Sequence, residues 1–433
     1  MTVPRAYLDA LDLAEPLTVD AAYARSHEAA LTDSEVGPVG LEIETHLVDL
    51  DSVAERVPWE RVDPMLGVVR AATGTSSVTL EPGAQLELSG RPAADIATTV
   101  AELTQDEERA RQALAGLRMG VVSAGADPLR PSRRVNPRPR YRAMERHFAA
   151  TGRAAPGAVM MNSTAAIQVN LQAGPRCGWP ERVARAHRLG PTLVAISASS
   201  PWLHGRPTGW KSARQRAWAG LDTRTCGPVP GCVAPTPSLD DTLDPAAAWA
   251  RYVLNAPVSF VQIRQGKRDD ALPVCVSVPF ERWVRGTVRL GGRAPTAADL
   301  DVHMTTLFPP VRLKGYLELR YLDMTDARWW PAIAAVVTTL MDDPVAADLA
   351  TEATERSAEL WTEAARDGLG HAALADSARR CLDIAARRVP AELGPAVASL
   401  AELVESGRCP GDLLAQRITE IGPQAAFEEL AYA

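Results

Sequence analysis

Short segments that alternate apolar and polar residues are the feature of this sequence that most constrains its fold. The segment GLEIETHL alternates strictly, and successive side chains of a β-strand point to opposite faces of a sheet. Glu42, Glu44 and His46 therefore share one face, whereas Leu41 and Ile43 lie on the other. The pattern predicts a strand that buries one face and presents charge on the other.

Three further segments have the same character. Their polar faces carry these pairs: Gln85 with Glu87, Gln168 with Asn170, and Glu318 with Arg320. Glu81 comes directly before a turn at Pro82-Gly83. If these strands belong to one sheet, their polar residues meet on a single surface.

Two interpretations of that surface are open. A half-exposed sheet turns ordinary polar residues to water. Here the polar face carries glutamates, amides and an arginine, with no lysine or serine, and clustered glutamates repel one another unless cations lie between them. Carboxylate and amide oxygens are ligands for hard cations, so the pattern indicates Mg²⁺ or Mn²⁺.

Basic residues accompany the carboxylates near the last of these strands. Arg320 lies two residues from Glu318 on the same face, and Arg312 and Lys314 precede the strand. Arginine can contact a phosphoryl group through two nitrogens, which predicts that these three residues bind ATP phosphates. In-plane salt bridges and a solvated loop charge are the structural alternatives.

A second group of basic residues occurs in the segment SARQRAWAGLDTR. It contains Arg214, Arg216, Trp218, Asp222 and Arg224. The planar guanidinium matches a carboxylate, so we predict a clamp for a substrate carboxylate formed by Arg214, Trp218 and Arg224. A charged helix face with i,i+4 spacing is the alternative.

Composition excludes several classes of function. The net charge of −7 disfavours nucleic-acid binding, and no apolar run reaches the length of a membrane span. The six cysteines form no CxxC pair, which favours free thiols in a reducing cytoplasm. No P-loop, dinucleotide fingerprint, GxSxG or HExxH motif with the required spacing occurs. ATP would therefore bind on the sheet.

The 433 residues show no internal repeat and no sharp change of composition, which favours one catalytic unit over residues 1–433. A helical approach to the first strand is expected before residue 37. Further along we expect the following elements: a helix over 93–119, a loop over 130–140, a mobile connection or lid over 226–237, helical sequence over 344–388, and two or three short helices over 390–433.

Five sequence segments together resemble a known enzyme family. They are GLEIET, LEPGAQLELSG, MMNSTAAIQVNL, SARQRAWAGLDTRT and TTLFPPVRLKGYLELR. In this order they are similar to the motifs of the glutamate–cysteine ligases of plant and proteobacterial type. The resemblance spans about residues 39–330, and the arginine-rich composition resembles the actinobacterial branch that forms γ-glutamylcysteine for ergothioneine.

The resemblance implies an α+β fold similar to the catalytic domain of glutamine synthetase. A curved, mainly antiparallel six-stranded sheet would form an active-site bowl, with helices outside it. Asn170 and Arg320 would face the γ-phosphoryl group, and Arg214 would bind a substrate carboxylate. Two or three Mg²⁺ ions would be held by Glu42, Glu44, Glu81, Glu87, Gln168 and Glu318.

The predicted function is ATP-dependent ligation of the glutamate γ-carboxylate to the amino group of cysteine, through γ-glutamyl phosphate. The expected partners are glutamate, cysteine and ATP, with neither nucleic acid nor membrane, in a monomer or weak dimer. One alternative is a ligase on the same scaffold that joins glutamate to another amine. A more remote one is a ligand sensor without activity, which retention of all the acidic residues disfavours.

Overall fold

A computed structural model describes residues 15–232, 244–265 and 268–432. Seven strands form its main sheet, six of them in the order β10-β11-β5-β1-β3-β2, and all pairings are antiparallel. The strands of this sheet are β1 (Val39–Asp49), β2 (Ser77–Leu80), β3 (Gln85–Ser89), β4 (Met119–Val122), β5 (Ala166–Leu171), β10 (Val311–Leu313) and β11 (Leu317–Asp323).

The mainly antiparallel sheet that the family resemblance implies is confirmed, with one strand more than expected. The additional strand, β4, pairs with the end of β1. His46 pairs with Gln85 of β3 on one side and with Val122 of β4 on the other. β4 therefore pairs with the same edge of β1 as β5, but nearer the C-terminal end of β1. Its four residues are all buried and carry no polar alternation, which is why the sequence pattern missed it.

Two small hairpins lie outside the main sheet. They are formed by β6 (Trp202–Leu203) with β7 (Arg206–Pro207), and by β8 (Phe260–Gln265) with β9 (Arg268–Pro273).

The helices of the described residues surround the main sheet and extend into the C-terminal part. Their bounds are α1 (Val19–Glu28), α2 (Trp59–Ala72), α3 (Ile96–Ala115), α4 (Pro139–Ala150), α5 (Ala154–Ser163), α6 (Trp179–Ser197), α7 (Ala213–Ala219), α8 (Thr223–Cys226), α9 (Pro245–Asn255), α10 (Phe280–Val284), α11 (Ala297–Met304), α12 (Trp330–Asp342), α13 (Pro344–Ala353), α14 (Trp361–Arg366), α15 (Ala372–Ala386), α16 (Gly394–Glu405), α17 (Pro410–Ile421) and α18 (Pro423–Tyr432).

Helices cover the apolar face of the sheet, as predicted. α3 contacts β1, α12 contacts β5 and α6 contacts β11. The strand residues on that face, such as Leu41, Ile43, Val169 and Leu319, are fully buried. Each such side chain contributes roughly 1.5–3 kcal/mol of burial free energy, so this face anchors the sheet and leaves the polar face free.

The helix predicted over 93–119 is confirmed as α3 (Ile96–Ala115). The Asp95 carboxylate accepts a 2.8 Å hydrogen bond from the Thr98 amide and caps its N-terminus. Ile96 and Leu103 of the expected apolar stripe are buried, whereas Leu117 lies beyond the last turn.

The other predicted segments agree in part. Residues 130–138 form a loop, and α4 then begins at Pro139. The region 344–388 is helical but divided into three α-helices, and three more follow in the tail. Within the predicted lid, Cys226 ends α8, and residues 233–237 lie outside the described part of the chain. The lid therefore stays a prediction.

One main apolar core contains residues from Ala22 to Cys409, including strands of the sheet and helices of the C-terminal part. This continuity supports the proposal of a single unit. None of the helices in the described ranges is long and apolar enough to cross a membrane.

Candidate active site

The strand register brings the polar residues of distant segments together on one face. Four cross-strand pairs do this: Glu44 opposite Glu87, Glu42 opposite Gln168, Glu318 opposite Asn170, and Arg312 opposite Glu318. Directly opposite like charges destabilise a sheet, so the Glu44–Glu87 pair is a local cost built into the fold.

A cavity of about 460 Å³ lies over this face. It is lined by most of the residues singled out from the sequence, namely Glu42, Glu44, Glu81, Glu87, Gln168, Arg214, Trp218, Arg312, Lys314, Glu318 and Arg320. These side chains come from β1, β3, β5, β10, β11 and α7, and from the connections that hold Glu81 and Lys314. The structure thus gathers acidic and basic groups from distant segments around one cavity.

Four of the glutamates carry raised pKa values. Burial raises the pKa of Glu44 to about 8, with further contributions from the negative charges of Glu81 and Glu87. Burial also raises the pKa of Glu81, and burial together with neighbouring carboxylates raises the pKa values of Glu42 and Glu87. The cavity therefore concentrates negative charge that its protein surroundings do not fully compensate.

Amide and hydroxyl groups orient three of these carboxylates. Asn170 Nδ2 donates to Glu42 at 2.9 Å, and Gln168 Nε2 donates to Glu44 at 3.1 Å. Thr79 Oγ1 donates to Glu87 at 2.6 Å. Asn170 itself is not among the residues that line the cavity, so its contact with the site runs through Glu42.

Glu318 differs from the other glutamates because it is surrounded by cationic side chains. Arg312 Nε and Arg320 Nη1 lie 2.6 and 2.8 Å from Glu318 Oε2, and Lys314 Nζ lies 3.6 Å from its Oε1. Burial alone would raise the pKa of Glu318, but Arg312 and Arg320 outweigh burial and hold the pKa well below its usual range.

The carboxylate and amide oxygens that line the cavity are suited to bind a divalent cation. Half-buried carboxylates with raised pKa values gain from a nearby positive charge, and the atoms available to bind a cation are carboxylate and amide oxygens. Within the described ranges, no three carboxylate, histidine or cysteine groups already converge at one point. The uncompensated charge of these carboxylates is the feature that favours a cation in this cavity.

Arg214, in the first turn of α7, offers unused hydrogen-bond donors. Its Nη2 donates to the Arg320 carbonyl at 2.6 Å, and its Nη1 lies 3.9 Å from Asp323 Oδ1. Nε and Nη1 are buried and have no hydrogen-bond partner among the described residues. A buried unsatisfied donor costs about 1–3 kcal/mol, so these nitrogens are suited to a ligand that supplies acceptors.

Trp218 lies one turn further along α7 and also has a buried hydrogen-bond donor without a partner among the described residues. Its ring packs edge-to-face on Phe308 with centroids 5.7 Å apart, and its buried Nε1 lacks a partner within the described chain. Trp218, Phe308 and Arg320 also line a neighbouring, largely apolar cavity of about 390 Å³, to which Tyr321 and Trp361 contribute.

One expectation about an individual side chain needs correction. Arg224 does not line the cavity, because α7 ends before it and its Nη2 binds Asp222 and Ser277, each at 2.7 Å. His46 follows Glu42 and Glu44 in the alternation of β1, as expected, but does not line the cavity. It is buried away from the cavity, contacts the Ala124 carbonyl at 3.1 Å, and burial lowers its pKa to about 4.

Sequence reasoning missed part of the cavity wall. Arg140 and Tyr141 line the cavity from the first turn of α4, and Met160 and Met161 line it from α5. Arg140 Nη2 donates to Thr305 Oγ1 at 3.2 Å. A proline at the start of a helix, as at Pro139, was the signal that could have located this turn.

Comparisons with known proteins agree with the geometry. Residues 38–431 match the model of glutamate–cysteine ligase family 2. The chain is 48% identical to glutamate–cysteine ligase EgtA of Mycolicibacterium smegmatis, covering 93% of this chain and 92% of the relative. It is 47% identical to the EgtA of Mycobacterium tuberculosis strain H37Rv, covering 92% of this chain and 90% of the relative.

More distant similarities extend to plants and to a solved structure. The chloroplastic glutamate–cysteine ligase of Arabidopsis thaliana is 29% identical, covering 88% of this chain and 74% of the relative. The crystal structure of the Francisella tularensis glutamate–cysteine ligase in complex with AMP superimposes with a TM-score of 0.55 at 13% identity, covering 92% of this chain and 88% of that one. At that identity the likeness concerns the fold.

Proposed function

Because the chain belongs to glutamate–cysteine ligase family 2, we infer that it is a ligase joining the γ-carboxylate of glutamate to the amino group of cysteine. The observation that carries this inference is the cavity in which carboxylates, arginines and Lys314 of separate strands and loops meet. A simple carboxylate and amine do not condense without activation, and such a mixed-charge cavity is suited to phosphoryl transfer.

ATP is the proposed activating co-substrate. Arg312, Lys314 and Arg320 are the candidate ligands of its phosphates, because they bring three positive charges to one end of the cavity. Glu42, Glu44, Glu81, Glu87, Gln168 and Glu318 are the candidate ligands of Mg²⁺ or Mn²⁺. A bound divalent cation would neutralise the phosphate oxygens and the charge that develops during transfer.

The proposed chemistry has two steps. A γ-carboxylate oxygen of glutamate attacks the terminal phosphorus of ATP, which forms γ-glutamyl phosphate and releases ADP. The neutral amine of cysteine then attacks the acyl carbon, loses a proton, and phosphate leaves. Arg320 supports the transferring group, and Arg214 and Trp218 hold glutamate with their free donors. Water must be excluded, since it would hydrolyse the acyl phosphate.

An isotope experiment tests the first step. Glutamate labelled with ¹⁸O in its γ-carboxylate is expected to transfer one ¹⁸O atom to inorganic phosphate for each peptide bond formed. Mass spectrometry of the released phosphate measures the transfer. Phosphate without the label, formed at the same rate as product, would contradict activation of the carboxylate by phosphorylation.

Amine selectivity distinguishes the proposed reaction from ligation of another amine. The neighbouring apolar cavity borders Trp218 and Arg320, so we place the acceptor side chain at this junction. An apolar wall discriminates weakly between similar small side chains, about 10–200-fold for one methylene group. We expect ADP release with cysteine and, less efficiently, with 2-aminobutyrate. Turnover with an unrelated amine and none with cysteine would favour the alternative ligase.

Arg214→Lys is expected to raise KM for glutamate at least about tenfold with a smaller change in kcat, because lysine cannot reproduce the donor geometry of guanidinium. Steady-state kinetics with each substrate varied in turn measures the split. Arg216→Lys on the same helix is the matched control, since Arg216 is exposed. An unchanged KM for both amino acids in Arg214→Lys would remove the clamp from the proposal.

Cation affinity is expected to rise with pH. The pKa of Glu44 is raised to about 8, so this carboxylate is largely protonated at pH 6 and must lose its proton to bind a cation. Between pH 6 and pH 8 we expect the Mg²⁺ concentration for half-maximal activity to fall about tenfold or more, with proton release on binding. A pH-independent Mg²⁺ requirement would argue against Glu44 as a ligand.

The proposed setting is cytoplasmic ergothioneine biosynthesis, which the resemblance to the actinobacterial branch of the family supports. All six cysteines are free, in keeping with a reducing compartment. The proposed state is a monomer or weak dimer acting on small molecules. A sensor without activity is disfavoured because every glutamate of the predicted cation site is retained in the cavity.

A further inference from the structure

Glu81 is the one member of the acidic cluster that no side chain orients. Glu81 is half-buried and lines the cavity, yet within the described residues no hydrogen-bond donor contacts its carboxylate. Its position therefore depends on the backbone of the turn Glu81-Pro82-Gly83-Ala84.

That turn is held from outside the cavity by the loop 130–138. The Pro82 carbonyl accepts hydrogen bonds from the amides of Val135 and Asn136, each at 2.9 Å. Asn136 Nδ2 also donates to the Leu80 carbonyl at 3.1 Å. Asn136 thus contacts the backbone on both sides of Glu81, and its side chain is completely buried.

Two further side chains complete the support. Gln85 Oε1 accepts from the Gly83 amide at 2.9 Å, and Arg56 Nη1 donates to the Gly83 carbonyl at 3.4 Å. Arg56 is in turn held by the buried carboxylate of Asp127, 3.2 Å away. A side chain at Gly83 would collide with the Asn162 carbonyl at 2.3 Å, so the turn has no room to shift on that side.

We propose that Asn136 is a positioning residue for Glu81, which it places in the cavity without touching substrate or cation. Five hydrogen bonds converge on the peptide groups that follow Leu80, Pro82 and Gly83, around an otherwise unsupported carboxylate. Groups that orient metal ligands typically contribute 10–100-fold to metal affinity or activity when mutated. The inference rests on the proposed cation-binding role of Glu81.

The test compares Asn136→Asp, which keeps the size of the side chain but replaces the donor to Leu80 by an oxygen, with Asn136→Ala. We expect the Kd for Mn²⁺ alone, measured by electron paramagnetic resonance on the full chain, to rise about tenfold. The Mg²⁺ concentration for half-maximal activity should rise in parallel, and KM for cysteine should stay within about twofold.

Arg133→Ala is the matched control, because Arg133 is an exposed residue of the same loop. A lower Tm in the Asn136 variants with unchanged Mn²⁺ binding would show a purely structural role and overturn the inference. Glu81→Gln separates this failure from failure of the proposed function. If Glu81→Gln weakens Mn²⁺ binding and Asn136→Asp does not, only the positioning role fails, whereas unchanged binding in Glu81→Gln removes the cation site itself.

Discussion

Glu87→Gln is expected to lower kcat by at least about a hundredfold while making the cation-free protein more stable. The loss follows from removing one negative oxygen donor at a proposed cation site, where about 3 kcal/mol of transition-state stabilisation corresponds to slightly more than a hundredfold in rate. The gain follows because burial and the neighbouring Glu81 and Glu318 disfavour the charged form of Glu87 in the folded protein. Removing this charge should stabilise the fold by up to about 1 kcal/mol.

The stabilisation should depend on pH in a defined direction. Burial, Glu81 and Glu318 raise the pKa of Glu87, although its hydrogen bond with Thr79 acts the other way. A carboxyl group whose pKa is raised by folding contributes stability that is complete below its unfolded pKa and is lost as pH rises through its folded pKa. Glutamine has no such loss, so the difference in Tm between variant and parent should widen from pH 5 to pH 8.

Glutamine retains the acceptor that Glu87 offers to Thr79, so a general loss of packing is not expected. Thermal unfolding in a chelating buffer and steady-state ADP release at fixed Mg²⁺ provide the two measurements. Glu108→Gln, at an exposed position of α3, is the control and should change neither. Unchanged kcat in Glu87→Gln at ordinary Mg²⁺ concentrations would eliminate Glu87 as a functional ligand.

The face to which each strand residue points was predictable because alternation acts at the level of single residues. Once Leu41 and Ile43 must be buried, Glu42 and Glu44 must face the other way, whatever surrounds them. The partner of each strand was not encoded in that pattern. The Glu44–Glu87 pairing depends on the register of β3 along β1, which is a property of tertiary structure.

Contacts between residues distant in sequence explain why one predicted site residue lies outside the cavity and another cavity residue was missed. Spacing placed Arg214 and Arg224 in one basic segment, but a helix end and the Asp222 carboxylate send Arg224 to the surface. Conversely, Arg140 belongs to a segment that reads as a loop, and the start of α4 brings it to the cavity. The role proposed for loop 130–138 depends on its hydrogen bonds to the backbone carbonyl groups of Leu80 and Pro82, and a side-chain pattern does not predict such bonds.

The second large effect is expected at Arg320, whose guanidinium joins two strands of the site. Its Nη1 donates to Glu318 Oε2 at 2.8 Å and to Gln168 Oε1, and its carbonyl accepts from Arg214. Lysine carries the same charge but offers a single ammonium in place of a planar fork. Arg320→Lys is therefore expected to lower kcat by about a thousandfold, the upper part of the range for removing one stabilising donor.

If Arg320 had only a structural role, its replacement would lower stability without slowing phosphoryl transfer in the folded protein. This difference separates a structural role from the proposed role in catalysis. Glu318 keeps Arg312 as a partner when Arg320 is changed, so its charge is not left unpaired in the cavity. Unfolding free energy in Arg320→Lys should consequently fall by less than the 3–5 kcal/mol typical of a broken buried pair. Arg328→Lys, exposed near the end of β11, is the control for charge-conserving replacement.

Chemical denaturation and ¹⁸O transfer to phosphate measure stability and chemistry separately. Loss of stability with normal ¹⁸O transfer per folded molecule would make Arg320 a scaffold residue, whereas loss of transfer in a stable protein is the result we expect from its position between the carboxylates.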